Sequence, residues 1–353
     1  MLTVIRGLAA WWIVLFHFKD HFPSEIRGTA LFSIISHGSL AVDLFFVLSG
    51  FVIALNYSND FKFPAWAQYM RFLALRLARI YPLHFFMMLI FLVNPISIFL
   101  WSSSGLSGDR YSVHYYLLSI LLVQNWGLTQ TLAWNIPAWS ISTEWAAYLL
   151  FPINIALTIR LANTAFRRGL LVVTLLLLLA AICYLLNYTL AGDIAKFGLV
   201  RCLLEFSIGV ALQQMWESYE RRRAWRGYVA IATSAILIMV FATTSAPDFI
   251  IFPLLFCCII FFSATIRWAP KFSVSLIFVW IGEISYSTYM VHYFVKDWVK
   301  FLFIHSETEA TAIPMIIYLV VVMISSLILY HLIEVPGRRA IRGMLNNTKR
   351  QTA

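Results

Sequence analysis

Charge is what this chain most lacks: Asp, Glu, Lys and Arg make up 12% of its 353 residues, against about 25% in ordinary soluble domains. Hydrophobic residues make up 61%. That balance excludes a soluble globular domain and a disordered polyelectrolyte, and it points to the bilayer as solvent. Cysteine is sparse too. Cys183, Cys202, Cys257 and Cys258 all fall inside apolar runs without C-x-x-C spacing, so neither a disulfide framework nor a metal site is expected. There is no internal repeat, no low-complexity tract and no soluble domain longer than a loop in this sequence. The first apolar stretch lacks a small-residue cleavage pattern behind it and reads as a retained helix, not a signal peptide. The formal charge of +10 does not imply nucleic acid, because the basic residues sit in short clusters between long apolar runs.

What remains is a set of apolar helices. A crossing of a ~30 Å core needs about 20 mostly apolar residues, which predicts an all-α polytopic membrane protein with ten spans, near 2–18, 38–56, 80–101, 138–160, 169–190, 198–216, 228–244, 248–266, 277–299 and 312–334. The loops after even-numbered spans hold eighteen basic residues: Lys62, Arg71, Arg76, Arg79, Arg160, Arg167, Arg168, Arg221, Arg222, Arg223, Arg226, Arg267, Lys271, Arg338, Arg339, Arg342, Lys349 and Arg350. The opposite loops and helix ends hold seven, namely Lys19, Arg27, Arg110, Lys196, Arg201, Lys296 and Lys300. Positive-inside bias then places both termini in the cytoplasm. A membrane domain is expected over 1–337 and a short basic cytoplasmic tail over 338–353. Segment 63–79, with arginines among Trp, Phe and Leu, carries too much charge to span and is expected in the cytoplasmic interface. Stretch 113–126 is short for a crossing and reads as re-entrant or interfacial; a true crossing there would invert everything downstream.

An Asp or Lys at mid-bilayer costs about 2.5–3.5 kcal/mol on insertion scales, so each charge inside a span is a candidate for function. Arg6 and His17 lie on the first span, on one face and roughly 16 Å apart along the axis, with Arg6 toward the cytoplasm and His17 toward the outer leaflet. Asp43 falls in the first turns of the inward-running second span, at the depth of His17. It either pairs with the imidazole or caps the helix amino end. Ser49 and Gly50 lie deeper, where small residues allow close packing or a slot for a thin chain. Glu144 enters from the outer side on the fourth span. Ser285, Tyr289 and His292 form one polar stripe on the ninth span by i, i+4, i+7 spacing, or anchor it in the interface. Arg76 and Arg79, on one face by i, i+3 spacing, suit phosphates or simply mark the cytoplasmic side. Glu334, beside Arg338 and Arg339, is expected to pair with local arginines or pack the helix end.

Six segments together, IRGLAAWWIVLFH, GSLAVDLFFVLSGFVI, RLARIYPLHFF, WSISTEW, GEISYSTYMVH and HLIEVPGRR, resemble the acyltransferase-3 family, in family order and over nearly the whole chain. The resemblance implies a ten-helix enzyme that moves an acyl group, commonly acetyl, from cytosolic acyl-CoA to a hydroxyl of an extracytoplasmic polysaccharide, oligosaccharide or glycolipid. It makes Arg6 and His17 the essential pair, Asp43 the second-helix acid, Arg76 and Arg79 the cytosolic arginines that hold the donor, and Glu144 the fourth-helix acid. The expected catalytic set is His17, Asp43 and Glu144, with Arg6, Arg76 and Arg79 binding acyl-CoA and Ser49, Tyr289 and His292 on the substrate path. RIYPLH and WSISTEW depart from the commoner family wording without removing a charged group.

In the expected mechanism His17 is general base on the acceptor hydroxyl with Asp43 orienting its ring; a rival route makes His17 the nucleophile. Glu144 positions the acceptor or takes the place of Asp43. No metal and no permanently bound cofactor are expected, acetyl-CoA or another acyl-CoA being a co-substrate. The expected partners are acyl-CoA, a carbohydrate acceptor and membrane lipids, with no nucleic acid; oligomeric state is not legible. With no hydrolase-like domain appended, a stand-alone enzyme of the bacterial cytoplasmic membrane is expected. The alternative is a proton-coupled transporter or lipid-linked sugar flippase, which also uses midmembrane His, Asp and Glu but often shows paired halves and broken helices; neither is legible in this sequence.

Overall fold

The structure is a computed structural model and describes all residues except 24, 62–65, 102–107, 220–223, 245, 267–272, 305–311 and 352–353. Among the described residues there are helices and no strands. In chain order they are α1 (Leu2–Phe18), α2 (Ala30–Ser36), α3 (Ala41–Tyr57), α4 (Trp66–Phe91), α5 (Val93–Trp101), α6 (Val113–Ile120), α7 (Trp139–Leu161) and α8 (Ala165–Leu186). There follow α9 (Ile194–Ser218), α10 (Ala224–Thr243), α11 (Asp248–Thr265), α12 (Ser273–Glu283), α13 (Ser285–Phe303), α14 (Ala312–Leu329) and α15 (Val335–Gln351).

Among the described residues seven stretches are long and apolar enough to cross a membrane: Leu2–His21, Gly38–Tyr57, Trp66–Trp101, Ala165–Leu186, Ala224–Thr243, Asp248–Thr265 and Ala312–Leu345. The chain is a polytopic all-α membrane protein. The other three spans expected from the sequence, at 138–160, 198–216 and 277–299, coincide with α7, α9 and α12–α13. These three fall below the apolar standard because they carry the buried polar side chains described below. Helix α8 shows the opposite composition. It opens on Thr164, whose hydroxyl accepts from Arg167 N–H at 3.3 Å, and closes on Asn187 at φ 55°. Between these caps Leu177 and Leu185 stand 64% and 78% exposed, as side chains that face lipid should.

The described residues form two compact units. Unit 1 comprises Met1–Arg6, Leu40–Tyr69 and Glu144–Val279. Its centre is the crossing of α3 and α9, where backbones touch through glycines. A Cβ on Gly50 would stand 2.0 Å from the Phe206 carbonyl oxygen, and one on Gly209 would stand 2.0 Å from that of Val47. Small residues of this kind let membrane helices pack backbone to backbone. Asp43 meets Arg201, and Gly50 meets Phe206 further on, so the two helices run parallel. Two even-numbered spans of the expected topology should do the same.

Unit 2 comprises Gly7–Ser39, Met70–Thr143 and Trp280–Ala353. Here α13 packs against α14 and against the short turn Ile136–Ala138. Phe18 of α1 stacks on Tyr318 of α14 at 4.4 Å, and the Tyr318 hydroxyl donates to Val14 O at 3.1 Å. Helix α6 has eight residues, about 12 Å of rise, and cannot cross a ~30 Å core. It is held by His84, which donates from Nε2 to Ser119 O at 2.8 Å. The helix within 113–126 is therefore not a crossing.

Several expected boundaries move. The break expected near residue 79 is absent, because α4 runs unbroken from Trp66 to Phe91. Its buried residues Phe72, Leu73, Ala78, Ile80 and Leu83 continue through that point, and Pro82 sits inside the helix. The expected segment start at 63–65 lies outside the described residues, as do Lys62, Arg221, Arg222, Arg223, Arg267 and Lys271. The ninth span is kinked between α12 and α13, although Ile284 still donates to Trp280 O at 3.2 Å. The last span passes from α14 through a π-turn, Tyr330–Glu334, into α15, so helix continues past the boundary expected at residue 337.

Candidate active site

Helix α13 organises unit 2, and three polar stations follow one another along it. The first is near its amino end. Ser287 donates to Glu334 Oε2 at 2.7 Å, and Glu334 also takes an ion pair from Arg79. Glu334 is 1% exposed, so its charge depends on these partners. The π-turn that carries it adds a residue to one helical turn, and such insertions re-aim side chains. Glu334 thus pairs with an arginine distant in sequence, not with Arg338 or Arg339 beside it. The Tyr286 hydroxyl donates to Ile80 O at 2.6 Å and fixes α13 against α4.

The second station is a pair of imidazoles. His292, fully buried, donates from Nδ1 to Tyr289 O at 2.6 Å. Its Nε2 is then an acceptor, 3.3 Å from His17 Nδ1. His17 Nδ1 also lies 3.1 Å from Ile13 O, one turn back on α1. A carbonyl only accepts, so both rings carry hydrogen on Nδ1, and His17 Nε2 keeps its lone pair. Unlike His292, His17 is only half-buried. The Tyr293 ring stands edge-on to His17 at 5.4 Å. The Tyr289 hydroxyl donates to Pro137 O and meets Ser140 Oγ, each at 2.7 Å. Of the residues expected on the substrate path, Tyr289 and His292 thus come together with His17, with their polar atoms engaged by protein.

The third station lies beyond, at the carboxyl end of α13, where Arg110 reaches Asp297 at 2.8 Å. Arg110 also lies 5.2 Å over the Tyr293 ring.

In unit 1 the sequence-expected acids are placed differently. Asp43 Oδ1 lies 3.0 Å from Arg201 Nε, and Glu205 follows one turn after Arg201 on α9. Asp43, Arg201 and Glu205 are 0%, 2% and 0% exposed. Of the two residues matched by depth in the sequence, the carboxylate of Asp43 has an arginine for a partner within its unit, and the imidazole of His17 has a second imidazole within its own. A guanidinium matches the full charge of a carboxylate, whereas a neutral ring does not. Arg201, counted with the outer basic residues in the sequence, is buried inside α9. Glu144 and Ser49 do meet: the hydroxyls of Ser49 and Tyr148 each donate to Glu144 Oε1 at 2.5 Å. Arg6 is half-buried in the second turn of α1, and Arg76 is half-buried one turn before Arg79 on α4.

Arg201 and Glu205 are missed by the sequence reading, although two opposite charges at i, i+4 in an apolar span are a readable signal. Arg110, Tyr293 and Asp297 carry no comparable signal, since nothing local brings residue 110 to residue 297. Among the described residues no group of three His, Cys, Asp or Glu is placed to hold a metal ion.

Residues 2–331 match a protein family described as an acyltransferase domain. Among similar curated proteins, the acyltransferase MdmB of Streptomyces mycarofaciens is 37% identical over 158 residues, 43% of this chain and 38% of that protein. The O-acetyltransferase OatA of Staphylococcus aureus is 23% identical over 364 residues, 95% of this chain and 56% of that protein. The chain thus spans about half the length of the curated relatives it matches, or less. No solved structure matches it.

Proposed function

The chain belongs to the acyltransferase-3 family, and from that premise we propose that it moves an acyl group, acetyl in the first instance, from acyl-CoA to a hydroxyl of a carbohydrate or glycolipid. The observation that carries this reading is the His17–His292 pair, whose hydrogen bonds leave a lone pair on His17 Nε2. In this mechanism Nε2 takes the proton of the acceptor hydroxyl as its oxygen attacks the thioester carbonyl carbon. The tetrahedral intermediate collapses, the C–S bond breaks, and the proton passes from His17 to the leaving thiolate. CoA thiol and an O-acyl sugar result. General-base help of this kind is worth about 10²–10⁴-fold.

Arg76 and Arg79 are the donor's phosphate ligands in this reading. A guanidinium carries five N–H donors, so the ion pair with Glu334 holds Arg79 without exhausting it. Asp43 has no step in this reading; its Oδ1 is engaged by Arg201. In this reading the arginines face the cytoplasm across a bacterial inner membrane and the acceptor lies on the other side; the basic-loop bias supports the side given to the arginines.

The test is free thiol released from acetyl-CoA by the purified full chain, together with mass analysis of the acceptor. His17→Gln should release no more thiol than the membrane blank. If wild type releases no thiol and acylates no acceptor, the acyltransferase reading fails and transport becomes the better account. If acyl-CoA alone leaves acyl groups on His17, the imidazole is the nucleophile, not a base.

A further inference from the structure

At the carboxyl end of α13, in unit 2, a cavity of about 540 Å³ is bounded by Asn94, Arg110, Tyr111, Asp297, Trp298 and Phe301 among others. That volume lies within the ~300–1,000 Å³ usual for small-molecule sites. Its polar groups form a chain. Arg110 donates to Asp297 Oδ2 at 2.8 Å, Asn94 Nδ2 lies 3.5 Å from the same oxygen, and the Trp298 indole donates to Asn94 Oδ1 at 3.0 Å. The indole plane is thereby fixed, and Phe301 stands edge-on to it at 5.9 Å.

We propose that this cavity binds the carbohydrate acceptor, with Trp298 and Phe301 presenting ring faces to a sugar and Asp297, Asn94 and Arg110 bonding its hydroxyls. The proposal rests on the acyltransferase reading and supplies that reaction with its second substrate site. Two features favour a polyhydroxyl ligand. Planar side chains with donors and acceptors fixed by one another suit hydroxyls, which donate and accept. Aromatic rings give apolar contact without a charge requirement.

Position on the helix favours it too. On α13 the cavity residue Asp297 lies about 15 Å of rise beyond Ser287, with His292 midway. Glu334 and Arg79 mark one end of the helix, the imidazole pair its middle, and the cavity its other end. Tyr293 joins the last two, its ring contacted by Arg110 at 5.2 Å on the cavity side and by His17 at 5.4 Å. Tyr293 thus links Arg110 of the cavity lining to the ring of the base.

The test uses the full chain in lipid nanodiscs with acetyl-CoA and, as acceptors, methyl glycosides of glucose, galactose, mannose and N-acetylglucosamine, with glycerol as a polyol that lacks a ring. Asp297→Asn and Trp298→Ala should raise the KM of the best glycoside at least tenfold while the KM of acetyl-CoA moves less than twofold. Phe301→Ala, at a position 51% exposed where folding is insensitive, should raise the glycoside KM severalfold. Equal rises for both substrates, or an unchanged glycoside KM in all three variants, would overturn the site.

Glycoside binding is also read directly, by quenching of tryptophan fluorescence without acetyl-CoA and its loss in Trp298→Phe and Asp297→Asn. Quenching without thiol release would sink the acyltransferase reading and keep the cavity. Thiol release with no glycoside bound or acylated would do the reverse.

Discussion

Two buried polar clusters, one in each unit, use opposite electrostatics. In unit 1 the Asp43–Arg201–Glu205 group is charged and sealed, none of its members more than 2% exposed. Glycine contacts at Gly50 and Gly209 hold the helices that carry it together. In unit 2 the His17–His292 pair is bonded to carbonyls as neutral rings, and one ring is half-buried with a lone pair to spare. A sealed ionic cluster holds helices; none of its members is open to a substrate. A neutral base with an open nitrogen holds little but can take a proton. The difference teaches that burial of charge inside a membrane helix is not sufficient to mark the chemistry, and that access to an open nitrogen marks it better.

That contrast breaks most sharply at His17. His17→Gln should lower acceptor-dependent turnover by about 10²–10⁴-fold with the thermal unfolding midpoint unchanged. A variant that instead unfolded early would make the imidazole pair structural. Arg201→Met tests the other cluster, leaving two carboxylates buried against each other. Removing one partner of a buried pair typically costs about 3–5 kcal/mol, so folded yield and midpoint should fall. The triple change Asp43→Asn, Arg201→Met, Glu205→Gln should recover most of the loss. Normal stability with abolished turnover in Arg201→Met would move this cluster into the reaction.

Smaller effects sharpen the picture. His292→Gln retains an acceptor for His17 Nδ1 but not the ring's geometry. It should lower kcat about tenfold, the worth of one hydrogen bond near 1.4 kcal/mol, while the acetyl-CoA KM holds steady. A loss as large as that of His17→Gln would give the buried ring more than a positioning role. Ser49→Ala removes one of two hydroxyls from Glu144 Oε1 and should cost about 1 kcal/mol of stability, read by thermal unfolding with turnover measured alongside. A drop in turnover without a drop in stability would bring Glu144 into the substrate path.

Much of this was legible in residue order. The all-helical character follows from apolar runs of helical length, and the seven described stretches apolar enough to cross a membrane all fall on expected spans, whereas α2 and the basic α15 were not expected as helices. His17, Tyr289 and His292 were each singled out from spacing, and the fold brings them together. What spacing did not deliver was pairing. Asp43 was matched to His17 by depth alone, whereas packing matched it to Arg201 through a glycine crossing. Depth orders residues along one axis; contact also requires a shared helix face and a close backbone, and those depend on which helices are neighbours. The same holds for Glu334, whose partner Arg79 lies 255 positions away.

Composition alone decided that the solvent is lipid, because a chain with so few charges cannot cover itself in water, and the ordered motifs alone carried the family. Partnership was decided only in three dimensions. Hydrogen bonds and ion pairs reach about 3 Å, so they report on neighbouring helices and not on position in the chain. For that reason the base, its orienting ring and the sugar cavity at the end of α13 emerge only once the helices are packed.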